Sequence, residues 1–160
     1  MTATTRWVAG SGGLTYADAG FTLASFNSLA SGSGVVAGTA YANGTNLDQY
    51  GQVSGSFVPG ATTVAGGYLS LYLLALNANG TTYGDGTASG ATAPSSTWWV
   101  ANCQVNAGIT TSGVIYFDFG PVVLPPGNFV WAIWNNLGVA LNAAAAAIVD
   151  HRFFDVNLNA

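Results

Sequence analysis

The chain contains no lysine and no glutamate, and its 160 residues carry formal charge only at Arg6, Arg152, Asp18, Asp48, Asp85, Asp118, Asp150 and Asp155. Charged residues make up 5% of the sequence, whereas a free soluble domain usually has about a quarter. A surface so poor in ions offers little colloidal repulsion. It reads as a surface meant to be covered by neighbours in an assembly. With two cations and no basic cluster, the counterion release that drives nucleic-acid binding has no source. Attraction to anionic membranes fails for the same reason, so neither nucleic acid nor membrane is expected as a partner. Cys103 is the single cysteine, so no internal disulfide can staple the domain. The most apolar segments, 67–76 and 138–149, are shorter than the roughly 20 residues that span a bilayer. The opening MTATTRWVAGSGG has no basic segment followed by an apolar stretch. A secretory signal is therefore not expected, and a soluble product made in the cytoplasm is.

Catalytic parts are also scarce. His151 is the only histidine, flanked by Asp150 and Arg152, and no G-x-S-x-G elbow accompanies the many serines. Nucleophilic catalysis needs a base beside its nucleophile, and nothing in the sequence pairs them; His151 reads as the polar end of the last strand. Glycoside hydrolysis needs two opposed carboxylates. Asp18 in YADAG, Asp48 in NLDQYG and Asp85 in YGDGT instead sit in turn-like contexts, where Asp bonds nearby backbone. Asn77, Asn79 and Asp85 could offer oxygens to calcium, but the EF-hand pattern with its closing Glu is missing. One Cys and one His make a poor zinc site. Gly32, Gly34 and Gly38 do not form the dinucleotide fingerprint. The chain is thus expected to have no catalytic residue, no cofactor and no metal, and not to be an enzyme.

What is abundant is glycine, with 22 residues, and aromatics, with five Trp, seven Tyr and eight Phe. The hydrophobic period is two. Val53 and Phe57 alternate with Gln52, Ser54 and Ser56. Ile115, Phe117 and Phe119 oppose Val114, Tyr116 and Asp118. Phe129, Trp131 and Ile133 oppose Val130, Ala132 and Trp134. Such alternation marks strands, and segment 68–76, apolar on both faces, suggests a strand covered twice. Asn43-Gly44 and Asn79-Gly80, each followed by Thr, read as hairpin turns rather than glycosylation acceptors. Pro59-Gly60 and Pro125-Pro126-Gly127 close neighbouring strands. Strands are expected at 4–9, 21–29, 34–41, 50–58, 67–76, 97–105, 113–120, 128–134, 137–142 and 149–157, and a turn or bent strand at 143–147. This spacing predicts an all-β fold: an antiparallel β-sandwich, jelly-roll-like. Residues 1–160 make one domain, with an N-terminal contact arm at 1–7 and a long functional loop at 77–96.

The aromatic surplus has three readings. Trp98 and Trp99 are adjacent and point to opposite faces of a strand; Trp131 and Trp134 also differ in parity. Both faces of the sandwich could be covered, one by the second sheet and one by a neighbour. Alternatively, Trp99 or Trp134 anchors an interface, or offers a stacking platform to sugars as carbohydrate-binding modules do. Arg6, Trp7, Trp99, Trp134 and Arg152 are the candidate interface residues.

The second half of the chain carries a further pattern. YLSLYLLALNANGTTYGDGTA reads as strand, turn and Y-x-D-G loop. VVLPPGNFVWAIWNNLGVAL reads as an LPPG-x-F turn, an aromatic strand and an Asn-rich turn. VDHRFFDV closes with an Arg among aromatics. Through Tyr83, Asp85, Gly86, Leu124, Pro125, Pro126, Gly127, Phe129, Asn135, Gly138 and Arg152, residues 68–156 resemble virion structural proteins of tailed bacteriophages, of the capsid decoration or cement type. Those relatives carry Lys or Glu around these turns, where this chain has neither. The resemblance implies a jelly-roll-like sandwich that sits in the virion, assembled in the host cytoplasm, and stabilises the head by binding across major capsid subunits. Its expected partners are the major capsid protein and itself, as a homotrimer. The other functional reading is a tail, fibre or carbohydrate-binding jelly roll that uses an exposed Trp.

Overall fold

The period-two segments become strands in the computed structural model, which describes residues 4–10, 15–77, 94, 99–145 and 147–159, with backbone alone at 4–7 and 157–159. Among the described residues the strands are β1 (Thr4–Ala9), β2 (Ala17–Asp18), β3 (Ser33–Val36), β4 (Tyr50–Phe57), β5 (Tyr68–Ala75), β6 (Trp99–Gln104), β7 (Ile115–Val123), β8 (Phe129–Asn136) and β9 (Ile148–Asn159). The first sheet has the order β1-β9-β4-β7, with β2 also on β9; the second has the order β3-β8-β5-β6. Leaving out the two-residue β2, the strands pair as nested antiparallel hairpins: β1 with β9, β3 with β8, β4 with β7 and β5 with β6. The chain is one long hairpin wound around its own core, an all-β sandwich with jelly-roll connectivity.

The inward residues of the two sheets fill the space between them. Val53 and Phe57 on β4, Ile115 and Phe117 on β7, and Val149 and Phe153 on β9 are all buried. They meet Phe129, Trp131 and Ile133 of β8 and Leu69, Leu71 and Leu73 of β5, buried likewise. Aromatic rings gather at both ends. Phe57 stands 4.7 Å from Phe26 and 4.9 Å from Phe117 between centroids. At the other end Tyr41 stacks on Phe153 at 3.7 Å, and Phe129 meets Trp131 edge-on at 5.0 Å. Such pairs add to simple area burial.

Three expected strands take other forms. In place of a strand at 21–29 the chain makes a 3-10 turn, Leu23–Phe26. Alternation would put Phe21 and Leu23 on one face and Phe26 on the other. The turn, held by Ser25 N to Thr22 O at 2.8 Å, buries both Phe rings and leaves Leu23 exposed. The expected strand at 34–41 is only β3, followed by an isolated bridge from Tyr41 to Phe129. Residues 137–142 form a bend instead of a strand. Asn135, fully buried, donates to Leu29 O and Val139 O and accepts from Leu137 N, which ties the chain into a loop there. The Asn43-Gly44 pair, expected as a hairpin turn, begins a single helical turn, Asn43–Asn46. Buried Asn43 donates to Asp48 O and to Pro125 O, and accepts from Asp48 N. It therefore fastens this turn to the LPPG turn before β8.

The packing predicts a sharp contrast between the two faces of the first sheet. Phe57→Ala removes a ring with no exposed surface and is expected to cost about 3–5 kcal/mol. Tyr116→Ala on the outward face is expected to change stability by no more than about 0.5 kcal/mol. Urea unfolding midpoints of the two variants measure both values.

Candidate functional site

The pleat that sends Val53 and Phe57 inward sends their neighbours outward. Strand register arranges the outward side chains of β9, β4 and β7 in four rows: Ile148, Ser56 and Tyr116; Asp150, Ser54 and Asp118; Arg152, Gln52 and Pro121; Phe154, Tyr50 and Val123. A bulge on β7 keeps the rows in step. Gly120 adopts φ +67° and its amide is capped by Asp118 Oδ1 at 2.7 Å, so Pro121 and Val123 return to the outward face.

The outer rows are mainly apolar, with Phe154 and Ser56 buried and three side chains open to solvent. Tyr116 is 80% exposed, Val123 75% and Ile148 55%. The middle rows are polar and linked across three strands. Arg152 Nε donates to Gln52 Oε1 at 2.8 Å, and Gln52 Nε2 donates to both oxygens of Asp118, at 2.8 and 2.7 Å. The Arg152 guanidinium also lies 4.8 Å from the Tyr16 ring and 5.9 Å from that of Phe154, which in turn stacks on Tyr50. A planar cation held between a ring and an amide loses little further freedom on meeting a partner.

Among the described residues the second sheet presents no comparable face along β8, where every residue from Phe129 to Asn135 is buried. Trp134 is 1% exposed, donates to Gly32 O and meets Tyr72 edge-on. An ideal Cβ on Gly34 would overlap its six-membered ring, so the indole lies flat over β3. Trp134 is therefore not the exposed anchor that its parity suggested: the face opposite Trp131 is covered too. Trp99, 48% exposed on the edge strand β6, is the indole left to solvent among the residues whose side chains are described, and its Nε1 is held by Asn102 Oδ1 at 2.9 Å. Arg6 and Trp7 lie on β1, paired with Asn157 and Val156 of β9. Backbone placement thus puts them in the same sheet as Arg152, with Trp99 in the other. Most of the loop 77–96, including Asn79-Gly80, Tyr83 and Asp85, lies outside the described residues, as do Trp98 and residues 1–3 of the arm.

At the rim between the sheets, a cavity of about 200 Å³ is lined by Asp18, Thr39, Tyr41, Phe129, Trp131 and His151, among others. Burial lowers the His151 imidazole to about 4, against a smaller opposing pull from Asp18. Trp131 Nε1 donates to its Nδ1 at 3.2 Å, which puts the proton of the neutral ring on Nε2. The Tyr41 hydroxyl beside it donates to the Asp48 carboxylate. A ring this hard to protonate acts near neutral pH as a hydrogen-bond acceptor for Trp131. Among the described residues no group of three or more His, Cys, Asp or Glu side chains is placed to hold a metal ion.

Comparison with protein-family models, with curated proteins and with solved structures gives no match.

The His151 environment has a pH consequence. Folded His151 resists protonation down to about pH 4, while the unfolded ring takes up a proton near 6.5. Its contribution to stability is therefore constant above 6.5 and declines as pH falls from there towards 4. His151→Gln retains an acceptor for Trp131 and removes this titration. The loss of urea midpoint between about pH 7.5 and about pH 4.5 is expected to be smaller in the variant than in the parent.

Proposed function

We propose that this chain is an adhesive structural protein of a phage virion, a capsid decoration or cement protein that binds across major capsid subunits. The observation that carries the reading is the open face of the first sheet. There Tyr116, Val123 and Ile148 stand exposed in the outer rows, and the few charges of the face, Arg152, Asp118 and Asp150, are confined to the middle ones. Covering a side chain of this kind is worth about 1.5–3 kcal/mol, and sparse charge keeps the desolvation cost of contact low. Each attachment can be modest, since many copies on one shell add their contacts. The jelly-roll connectivity agrees with the resemblance of residues 68–156 to tailed-phage virion proteins. In this reading three or so copies meet at their sandwich sides over a junction between capsid subunits, and the protein is assembled into the virion in the host cytoplasm.

Trp99 favours a second reading, a glycan-binding jelly roll. Its half-exposed indole, pinned through Asn102, offers a face on which a sugar ring can stack. Saturable quenching of tryptophan fluorescence by sugars, lost in Trp99→Ala, would support that module over a cement role.

Co-sedimentation with expanded empty capsids of the encoding phage tests the main proposal. The parent is expected to pellet with shells. The double variant Tyr116→Ser/Val123→Ser is expected to bind at least about tenfold more weakly, since each lost apolar contact removes more than about 1 kcal/mol. A monodisperse monomer with no affinity for shells would overturn the proposal.

A further inference from the structure

Among the described residues, neither Arg152 nor Asp150 on the open face has an ionic partner. Arg152 is half-buried, and its Nε is bonded to the neutral Gln52. Asp150, also half-buried, stands two residues along the same strand, and its carboxylate makes no hydrogen bond or ion pair among the described residues. Asp118 is reached from Arg152 only through Gln52. Asp18, paired with Asp150 across β2 and β9, accepts from its own Gly20 amide. A half-buried guanidinium with donors to spare, beside an unpaired carboxylate one row away, is a face set up to meet its own complement.

The order of the rows says which complement. Apolar, acidic, basic and apolar rows follow one another along the strands. Two copies placed face to face about a twofold axis parallel to the strands would set the row of Asp118 and Asp150 against itself. A twofold axis in the plane of contact but across the strands reverses the rows instead. Asp150 then faces Arg152 of the second copy, and Arg152 faces its Asp150. Tyr116 then lies over Val123 of the second copy, and Ile148 over the Tyr50–Phe154 pair. We propose that the outward face of the first sheet docks on the same face of a second copy about this axis. The inference rests on the reading of this face as a covered one and concerns the free protein, in which a second copy covers the face until capsid subunits displace it. Two sheets packed this way keep their strands within about 30° of alignment. Four rows on three strands span about 27 by 14 Å. That is about 400 Å² per copy and about 800 Å² in all, below the size of a stable specific interface and in the range of weak, transient ones. The pair is accordingly weak, with a Kd of about 10–100 µM.

Sedimentation equilibrium up to about 500 µM, several times that Kd, is expected to show a reversible dimer that weakens as salt screens the ion pairs. Asp150→Arg and Arg152→Asp each bring like charges together and are expected to weaken self-association at least tenfold. The double variant Asp150→Arg/Arg152→Asp restores the pairing and the affinity. Circular dichroism of each variant checks the fold. A second measurement stands should Arg152→Asp fail to fold. In a Cys103→Ser background, Tyr116→Cys and Val123→Cys chains, mixed under mild oxidation, are expected to cross-link to each other faster than either does to itself. A parent that stays monomeric, single charge reversals without effect, or like-with-like cross-linking would overturn the inference. A monomer that still pellets with capsids through Tyr116 and Val123 would overturn it and leave the capsid reading standing.

Discussion

A two-residue alternation shared by β4, β7 and β9 is the constraint on which the rest of this molecule depends. Because successive side chains point to opposite faces, a slip of one residue would turn Gln52, Ser54 and Ser56 into the core and put Val53 and Phe57 in water. The rings of Phe26, Phe57 and Phe117 prevent that slip, since their contacts exist in one register only. Once the register is set, the outward rows follow with no freedom of their own. The polar relay from Arg152 through Gln52 to Asp118 is the other side of the aromatic core. The open face is as rigid as the sheet that carries it, and a surface held that way loses little entropy when it is covered.

Ion scarcity runs through the whole design. Among the described residues, no buried side-chain nitrogen or oxygen lacks a hydrogen-bond partner. Neutral amides supply many of those bonds where charged groups often would. Asn43 fastens the helical turn to the turn before β8, Asn135 ties the bend after β8, and Gln52 separates Arg152 from Asp118. Neutral amides can be buried at lower cost than charges when their partners are fixed. Such a molecule orders much of its interior through neutral amides, and its surface can be covered without stripping water from many charges.

Much of the sandwich was legible from one sequence. β1, β4 and β5 were foreseen within a residue or two, and the alternation in β7 already separated Tyr116 and Asp118 from the core phenylalanines. Less legible were segments whose shape depends on a partner far along the chain. Phe21 and Phe26 belong to one core through a 3-10 turn, and nothing local distinguishes that from a strand. Asn43-Gly44 has the letters of a hairpin, but Asn43 reaches Pro125, 82 residues away, and makes a different turn. Trp134 illustrates the same limit: parity put it opposite Trp131, but the sequence could not show that this face is covered as well. Tyr116 and Val123 were missed as large apolar side chains left in water. The available signal was an aromatic and a Val sharing the outward face with polar neighbours.

The sequence by itself determined that this is a β-protein with almost no ions, since period, turn residues and composition are local properties. It also determined which residues alternate together, because the pleat leaves no choice. Only the tertiary structure decided which of the two alternating sets met water. That outcome depends on which strands become neighbours, and nested pairing over more than a hundred residues is a property of the whole chain. The pairing of β9 with β4 and of β4 with β7 brought Arg152, Gln52 and Asp118 into one line, from positions that the sequence holds far apart.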